Sequence, residues 1–371
     1  MRKKSIFKKL FRQWVSLCVV GCMVIMHAAQ AQVSAIDTAF QQASDAGLSG
    51  VLLVAKNGKI IFEKAHGYRH FETKEPLQTS DIFELASVSK QFTAMVIMQL
   101  QEKGLLQFDD PLEKYVSIPY KGITIRHMLN HTSGLPDYMQ VMDMYWDKSK
   151  VAGNADVIEY LNKYVPPVLF APGEKYMYSN TGYLMLASVA EAVSGKSFTE
   201  LAAASIFKKL KMKNTAIRTQ QQKLAIQNFA PGHEKDSLGN YVNANVFHNS
   251  DYTVWLGNRT GPGRISSTAH DLMKWDKALY KNKLVKSTTL EQAFAPATLN
   301  NKSMSNYGFG WGIEQDSVLG KIVGHTGGNP GVSTQIVRFI DKHYTIIVLC
   351  NNGHPGMKDL VARTTEALRH M

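Results

Sequence analysis

Cysteine is nearly absent from this sequence, with three residues in 371. Two of them, Cys18 and Cys22, fall in a segment that we expect to be removed, which leaves Cys350 alone in the apolar run TIIVLC. A single cysteine excludes an internal disulfide, and Cys350 is most simply a small buried residue. Stability must therefore come from a hydrophobic core, and about 340 residues can bury a large one in one or two domains.

Acidic residues are missing from the first 12 positions, MRKKSIFKKLFR, which carry six lysines or arginines. An apolar run over 14–26 follows, too short for a comfortable membrane span, and then the small-residue sequence AQA at 29–31. This order predicts a signal peptide over 1–31 and a secreted or periplasmic protein. The alternatives are an N-terminal membrane anchor or a lipoprotein, since VVGC fits a loose lipobox; membrane contact is expected only with lipidation at Cys22.

A strong excess of positive charge is also missing once the leader is set aside. The leader holds six of the 42 basic residues and none of the 30 acidic ones, so the rest has 36 against 30, a net charge of +6. No run of basic residues interleaved with aromatics occurs either. These features predict no nucleic-acid partner.

The order of local patterns predicts the architecture. Apolar helical spacing over 33–47 predicts a first helix, and two apolar runs flank Asn57-Gly58, the strongest short hairpin signal. Helical patterns and loops dominate the middle, strands return after about 320, and the chain closes with a helix. We predict an α/β domain from 32–84 and 260–371, with a helical domain inserted at 85–259 and a cleft between them.

The pattern Ser-x-x-Lys occurs three times, and only the copy at Ser87 and Lys90 has a promising context. The copy at Ser5 lies in the leader, and the copy at Ser205 sits late in an amphipathic helix. Ser87 instead precedes an apolar run, 92–100, that predicts a buried helix. Residues three apart share a helix face, and a lysine in an apolar cleft has a lowered pKa and can act as a base. The alternative is a helix cap with a solvated lysine.

Two further motifs follow in order: Tyr-Ser-Asn at 178–180 and His-Thr-Gly-Gly at 325–328. With this set the chain resembles the serine β-lactamase-like family, which includes class C β-lactamases, DD-peptidase-type penicillin-binding proteins, esterases and D-aminopeptidases. The segments ITIRHMLNHTSGLPDY, DDPLEKYV, GPGRISSTAHDLMKW and YGFGWGI resemble that family too. The resemblance implies an α+β fold with an antiparallel sheet, flanked by N- and C-terminal helices, and an inserted all-helical domain.

The resemblance also implies roles for the motif residues. Ser87 would be the acylated nucleophile, Lys90 would be the base or keep Tyr178 anionic, and Tyr178 would pass a proton to the leaving group. The oxyanion hole would be the backbone N–H groups of Ser87 and Gly328. Substrate would be bound by Asn180, His325, Thr326 and Gly327.

His325 departs from the Lys-Thr-Gly of typical β-lactamases. Histidine carries a charge only part of the time near neutral pH, so it is a weaker anchor than lysine for a substrate carboxylate. This weakens the case for an efficient β-lactamase. His127 and His131 stand four apart, but no His-Glu-x-x-His motif surrounds them, so no metal ligand is predicted, and no cofactor is needed.

We therefore expect an exported serine hydrolase of the class C β-lactamase or DD-carboxypeptidase type, acting through an acyl-enzyme on amide or ester bonds. Its substrates would be D-amino-acid peptides, β-lactams, small esters or peptidoglycan-derived peptides, and the protein would be a monomer. The alternative is a penicillin-binding or sensor-like protein that is acylated with little turnover. Specificity is expected from the loops 139–155 and 218–262, which carry Tyr145, Trp146, Tyr252 and Trp255.

Overall fold

The computed structural model of the chain describes residues 30–246 and 252–371. Most of the predicted leader, including Cys22, lies outside these ranges, so the prediction of cleavage or lipidation stays untested. Gln30 and Ala31 are the first residues of helix α1, which spans 30–45 and ends just before Gly47, whose φ is +98°. The helix predicted over 33–47 therefore exists, displaced by two or three residues toward the N-terminus.

A six-stranded antiparallel sheet forms the centre of the molecule, in the order β11-β12-β13-β14-β1-β2. Its strands are β1 (Gly50–Lys56), β2 (Lys59–His66), β11 (Gly312–Asp316), β12 (Gly320–Asn329), β13 (Val332–Phe339) and β14 (Tyr344–Cys350). The predicted hairpin joins β1 to β2 through Asn57 and Gly58, with φ of +51° and +69°. Positive φ at both positions is what the tight hairpin turn requires, which explains why Asn-Gly marks it.

Both faces of this sheet are buried, because successive side chains of a strand point to opposite faces. Leu52 and Val54 of β1 pack in a cluster with α1 and the C-terminal helix α12 (Met357–Arg369). Their neighbours Val51 and Leu53 belong to a much larger cluster formed with the helices on the other face. The sheet thus lies between the two terminal helices and the rest of the molecule, and the α+β fold class is confirmed.

The segment between the two halves of the sheet is mainly helical. Its helices are α2 (Lys90–Glu102), α3 (Ile125–Leu129), α4 (Tyr138–Tyr145), α5 (Asn154–Tyr164), α6 (Asn180–Ser194), α7 (Phe198–Ala202), α8 (Gln220–Leu224) and α9 (Tyr252–Trp255). Two more helices, α10 (Ala269–Leu279) and α11 (Ser287–Ala293), precede β11. In the part of the chain that the structure describes, no helix is long and apolar enough to cross a membrane.

Eight short strands accompany these helices. They are β3 (Tyr68–His70), β4 (Glu75–Pro76), β5 (Ile82–Glu84), β6 (Ala216–Ile217), β7 (Phe229–Ala230), β8 (His233–Lys235), β9 (Tyr241–Asn243) and β10 (Ile265–Ser267). Four of them form a small sheet in the order β6-β10-β5-β7. This sheet holds together strands from inside and outside the segment 85–259, and one hydrophobic cluster joins the helices to the large sheet. The helical segment therefore shares its core with the sheet, while the domain boundaries remain a prediction.

Candidate active site

Ser87 lies on a 3-10 helix, Ala86–Ser89, that connects β5 to α2. Ala86 has a φ of +47° and is buried, an uncommon conformation for a residue with a side chain. Such strained backbone persists where the surrounding packing holds it, often beside functional groups. The residue that precedes α2 is Ser89, and its side chain makes no cap hydrogen bond. Ser87 is therefore not the cap of this helix, and the capping alternative is wrong.

Lys90 is the first residue of α2 and is fully buried, and the residues that follow it on to Leu100 are buried as well. Its Nζ lies 3.1 Å from Ser87 Oγ, 2.8 Å from Asn180 Oδ1 and 2.9 Å from the Pro262 carbonyl oxygen. All three partners are neutral. The solvated-lysine alternative is also wrong, since this amine has no access to water.

Burial lowers the pKa of Lys90 well below its usual value, and the Arg259 guanidinium lowers it further. A neutral amine has two N–H groups and one lone pair. If the N–H groups are donated to Asn180 Oδ1 and Pro262 O, the lone pair faces the Ser87 hydroxyl. The geometry therefore places a base within hydrogen-bond reach of the nucleophile.

Tyr178 stands at the mouth of this site, two residues before α6. Its ring is 40% exposed, and Lys90 Nζ lies 4.7 Å from the ring centroid. Burial of the hydroxyl end raises the pKa of the Tyr178 phenol, although an interaction with the Ser87 hydroxyl opposes the shift. The phenol is therefore held as a proton donor rather than as an anion.

Asn180 begins α6, and Ser179 caps that helix by accepting a hydrogen bond from Gly182 N at 3.1 Å. The cap sets the orientation of the first turn, which directs Asn180 toward Lys90. Since Asn180 Oδ1 accepts from Lys90, the Nδ2 group is the part of this side chain that can donate to a substrate carbonyl.

His325 lies on β12 and is buried between two partners. Its Nδ1 is 2.5 Å from the Thr326 carbonyl oxygen, and its Nε2 is 2.7 Å from the Tyr307 hydroxyl. A carbonyl only accepts, so Nδ1 carries the proton and Nε2 accepts from Tyr307. Burial, together with the nearby Lys90, lowers the pKa of His325 to about 3. His325 is therefore a neutral imidazole at neutral pH, not a cation.

The end of β12 packs directly against the turn that carries Ser87. A Cβ on Gly327 would lie 2.3 Å from the Leu85 carbonyl oxygen and 3.1 Å from Ser87 N. The missing side chain of Gly327 therefore allows the protein's own backbone to approach. Thr326 and Gly328 alternate with it and are exposed, and a Cβ on Gly328 would meet nothing within 4 Å. Gly328 thus lies on the open side of the strand.

Three contacts that sequence reasoning missed secure this packing. Thr334 Oγ1 on β13 donates to the Leu85 carbonyl at 2.8 Å, and Asn329 Nδ2 donates to Glu84 Oε1 at 2.7 Å. Glu84 also forms an ion pair with the buried Lys223. Burial raises the pKa of the Glu84 carboxyl, but the cations around it outweigh this effect and hold the pKa at about 2. No local motif marks these residues, because their partners are distant in the sequence.

The rings of His131 and three tyrosines pack together beside the site. The His131 ring centroid lies 4.3 Å from that of Tyr178, 5.0 Å from Tyr183 and 4.6 Å from Tyr307. His131 Nδ1 accepts a hydrogen bond from Ser179 N at 3.0 Å, so this histidine orients the loop that carries Tyr178. His127 Nδ1 accepts from Thr124 N at 3.2 Å and caps α3. The two histidines thus have different structural tasks.

Two cavities flank Tyr178. One, of about 610 Å³, is lined by Tyr176, Tyr307, His325 and Thr326 along with residues of β11, β13 and α12. The other, of about 340 Å³, is lined by residues that include Leu135, Phe170, Met177 and Asn180. Of the described side chains, those expected to set specificity, Tyr145, Trp146, Tyr252 and Trp255, line neither cavity. Trp255 is buried in the core instead.

The fold and this Ser-Lys-Tyr cluster define a class of serine hydrolases. A family model described as Beta-lactamase matches residues 36–370, and the chain belongs to that family. Penicillin-binding protein 4* of Bacillus subtilis (strain 168) is 40% identical over 308 residues, which cover 82% of this chain and 68% of that protein.

Solved structures agree with this assignment. A penicillin-binding protein from Bacillus halodurans is similar with a TM-score of 0.77 and 27% identity, over 90% of this chain and 98% of that one. A D-amino acid amidase from Ochrobactrum anthropi SV3 has a TM-score of 0.76 and 24% identity, over 91% of this chain and 99% of that one. The similarity to the amidase shows a shared fold only.

Proposed function

We propose that this protein is an exported serine hydrolase that cleaves amide or ester bonds through an acyl-enzyme at Ser87. The observation that carries the proposal is the buried Lys90 amine, 3.1 Å from Ser87 Oγ, with neutral acceptors at its two other contacts. An ammonium ion would have no counter-charge among these partners. Burying a lysine without a counter-charge disfavours folding, so a purely structural role does not explain why Lys90 lies here.

In the proposed acylation step, Ser87 Oγ attacks the substrate carbonyl carbon while its proton moves to Lys90 Nζ. The negative charge that develops on the carbonyl oxygen is stabilised by the backbone N–H groups of Ser87 and Gly328. The Tyr178 phenol donates its proton to the leaving nitrogen or oxygen and regains one from the Lys90 ammonium. The bond to the leaving group breaks, and the acyl group remains on Ser87.

Hydrolysis of the acyl-enzyme would reverse the same proton path. Water would take the place of the leaving group, lose its proton through Tyr178 to Lys90, and attack the ester carbon. Ser87 would then leave with a proton returned by Lys90. No cofactor takes part in these steps, and the protein would act as a monomer after export, with membrane contact only if Cys22 carries lipid.

The neutral His325 bears on the substrate class. Both ring nitrogens of His325 are already paired, with the Tyr307 hydroxyl and the Thr326 carbonyl, so this position offers no fixed cation to the group that binds beside Thr326. This favours D-amino-acid peptides or amides and small esters over β-lactams that rely on a carboxylate. Peptidoglycan-derived peptides also end in a carboxylate, and they stay among the proposed substrates because relatives named as penicillin-binding proteins support them.

The second candidate is a penicillin-binding protein that is acylated and turns over slowly. Two observations favour it: the 40% identity to a protein of that name, and the protonated state of the Tyr178 phenol. A protonated phenol can only relay the proton of the deacylating water and cannot itself be the base, so this step depends on Lys90 acting through Tyr178.

An intact-mass time course of the mature protein with a penicillin, beside the Ser87→Ala variant, tests the proposal. We expect an adduct on wild-type protein and none on Ser87→Ala. An adduct that clears shows turnover, and a lasting adduct shows the penicillin-binding candidate. If no adduct forms, the same assay with an activated ester reports acylation of Ser87. Equal labelling of both proteins by both reagents would refute the proposed mechanism.

A further inference from the structure

The segment that follows β3 meets the hairpin β8–β9 outside the group of residues around Ser87 and Lys90. Among the described residues, one group of three potential metal-binding side chains comes together there: His70, Glu72 and His233. One donor atom from each of these side chains lies within 4.8 Å of the others. His70 ends β3 and His233 begins β8, so two separate hairpins contribute to the cluster.

His233 is the residue of this cluster whose buried side chain lacks a hydrogen-bond partner. Its side chain is fully buried, and neither ring nitrogen makes a hydrogen bond to any described residue. Nε2 lies 3.4 Å from Glu72 Oε2, within ion-pair distance but without hydrogen-bond geometry. Buried polar atoms are nearly always paired, so a buried imidazole that lies beside a carboxylate without a hydrogen bond requires an explanation.

Glu72 is positioned by the same hairpin. Its Oε1 accepts a hydrogen bond from Asn243 N of β9 at 3.0 Å, which leaves Oε2 directed toward His233. Carboxylates that bind metals are commonly oriented by such an outer hydrogen bond. Phe71 lies on top of the cluster, with ring centroids 4.9 Å from His233 and 4.4 Å from Tyr241. The site therefore has an apolar cover on one side.

The types of ligand atom in this cluster indicate which metal ion it would bind. Two imidazole nitrogens and one carboxylate oxygen are typical ligands of zinc and similar divalent transition metals. A tetrahedral ion with bonds of about 2.0–2.1 Å keeps its ligand atoms roughly 3.4 Å apart. The separation of His233 Nε2 and Glu72 Oε2 matches this spacing. The His70 side chain, 37% exposed, lies 4.0 Å from Glu75 Oε2 and would turn from it to complete the site.

We propose that His70, Glu72 and His233 bind one ion of zinc or of a similar divalent transition metal, with a water molecule as the fourth ligand. The ion would join the segment 68–76 to the hairpin β8–β9. His233 also packs against the turn between β12 and β13, because a Cβ on Gly331 would lie 2.3 Å from His233 N. The metal would therefore brace the outer end of the strand pair that forms one side of the active site, without touching the reacting atoms.

The test uses untagged mature protein treated with EDTA and then dialysed. Zinc affinity is measured by competition with a chromogenic chelator, and Co²⁺ is added separately for its visible absorption. We expect one ion per chain and a higher Tm with Zn²⁺ than without it. The visible absorption spectrum of bound Co²⁺ should be that of a four-coordinate ion. His70→Ala and Glu72→Gln, both at partly exposed positions, should each weaken zinc binding at least about tenfold.

The matched control is His370→Ala. His370 forms an exposed pair with Glu366 at 3.0 Å but has no third ligand, so its loss should leave zinc affinity unchanged. The proposal is overturned if wild-type protein binds no zinc, or if the three variants bind it alike. Ser87→Ala should bind zinc as wild type does, so failure of the metal site and failure of the hydrolase mechanism remain distinguishable.

Discussion

Lys90 shows how strongly the surroundings of one residue change its chemistry. Fully exposed, a lysine is a cation at any physiological pH, but here the side chain is enclosed and its contacts are neutral. Burial therefore favours the amine over the ammonium ion. The same enclosure keeps the phenol of Tyr178 protonated. These protonation states are the ones that the proposed mechanism needs, with Lys90 as the base and Tyr178 as the acid.

The pH dependence of acylation follows from this arrangement. Because Lys90 acts as the deprotonated amine, the acylation rate should rise with pH until the amine is neutral and then level off. Since the pKa of Lys90 lies well below its usual value of 10.5, the plateau should begin well below pH 10. Stopped-flow or quenched acylation rates between pH 5 and pH 10 would measure it. A rate that still climbs tenfold per unit at pH 10 would contradict the assignment.

The Lys90→Arg variant provides the control for that profile. Arginine keeps the positive charge but does not deprotonate in proteins, so it cannot accept the Ser87 proton. Acylation should fall by about 10²–10⁴, the usual contribution of a positioned general base.

At the scale of elements, the site depends on the packing of β12 against the 3-10 helix that carries Ser87. The two are in contact at Gly327 and Leu85, and the side chains of Thr334 and Asn329 bond to the residues just before Ser87. The proposed oxyanion donors sit on these two elements, one on each. Their separation is therefore set by how closely the strand approaches the turn.

The neighbouring glycines of β12 provide a matched pair of variants. Gly327→Ala would place a Cβ 2.3 Å from the Leu85 carbonyl, so the strand and the turn must separate. We expect acylation to fall by about 10²–10³, as when one oxyanion donor is lost.

Gly328→Ala is the control, since its Cβ would enter open space and its backbone is not in the left-handed region. Its acylation rate should change by less than about tenfold. Thermal melting of both variants separates loss of the site from loss of the fold. Equal rates for the two variants would show that the spacing between strand and turn does not control the site.

At the scale of the whole molecule, burial lowers the pKa of four of the histidines that the structure describes: His127, His131, His233 and His325. In the unfolded chain each takes up a proton near pH 6.5, whereas in the folded chain it stays neutral to a lower pH. Protonation thus favours the unfolded state, and the free energy of unfolding must decrease as pH falls below about 6.5. Each such histidine contributes up to about 1.4 kcal/mol per pH unit.

Urea unfolding at pH 7, 6 and 5 in the presence of EDTA tests this effect. For His325 the window extends from about 6.5 down to about 3. His325→Gln should therefore reduce the pH slope of the unfolding free energy by roughly 1 kcal/mol per unit below pH 6.5. If His325→Gln keeps the wild-type slope, the neutral state of His325 in the folded protein is refuted. Carboxylates such as Glu84, with a pKa of about 2, add to acid unfolding only below about pH 4.5.

Local patterns in the sequence predicted the parts of this protein whose causes are local. Asn57-Gly58 marks a hairpin because both residues tolerate positive φ, and the apolar spacing before Gly47 and after 356 marks the two terminal helices. The Ser87 and Lys90 pair could be selected because three residues on a helix bring side chains together. The order of the three motifs then identified the family.

What the sequence by itself determined is therefore the family, the fold class and the identity of the motif residues. Only the tertiary structure decided their chemical states, since burial by distant segments lowers the pKa of Lys90 and keeps His325 neutral. It also brought Glu84 to Asn329 and His70 to His233. Such pairs lie far apart in the chain and have no shared periodicity. Their contacts arise from the packing of strands and loops, which local sequence does not specify.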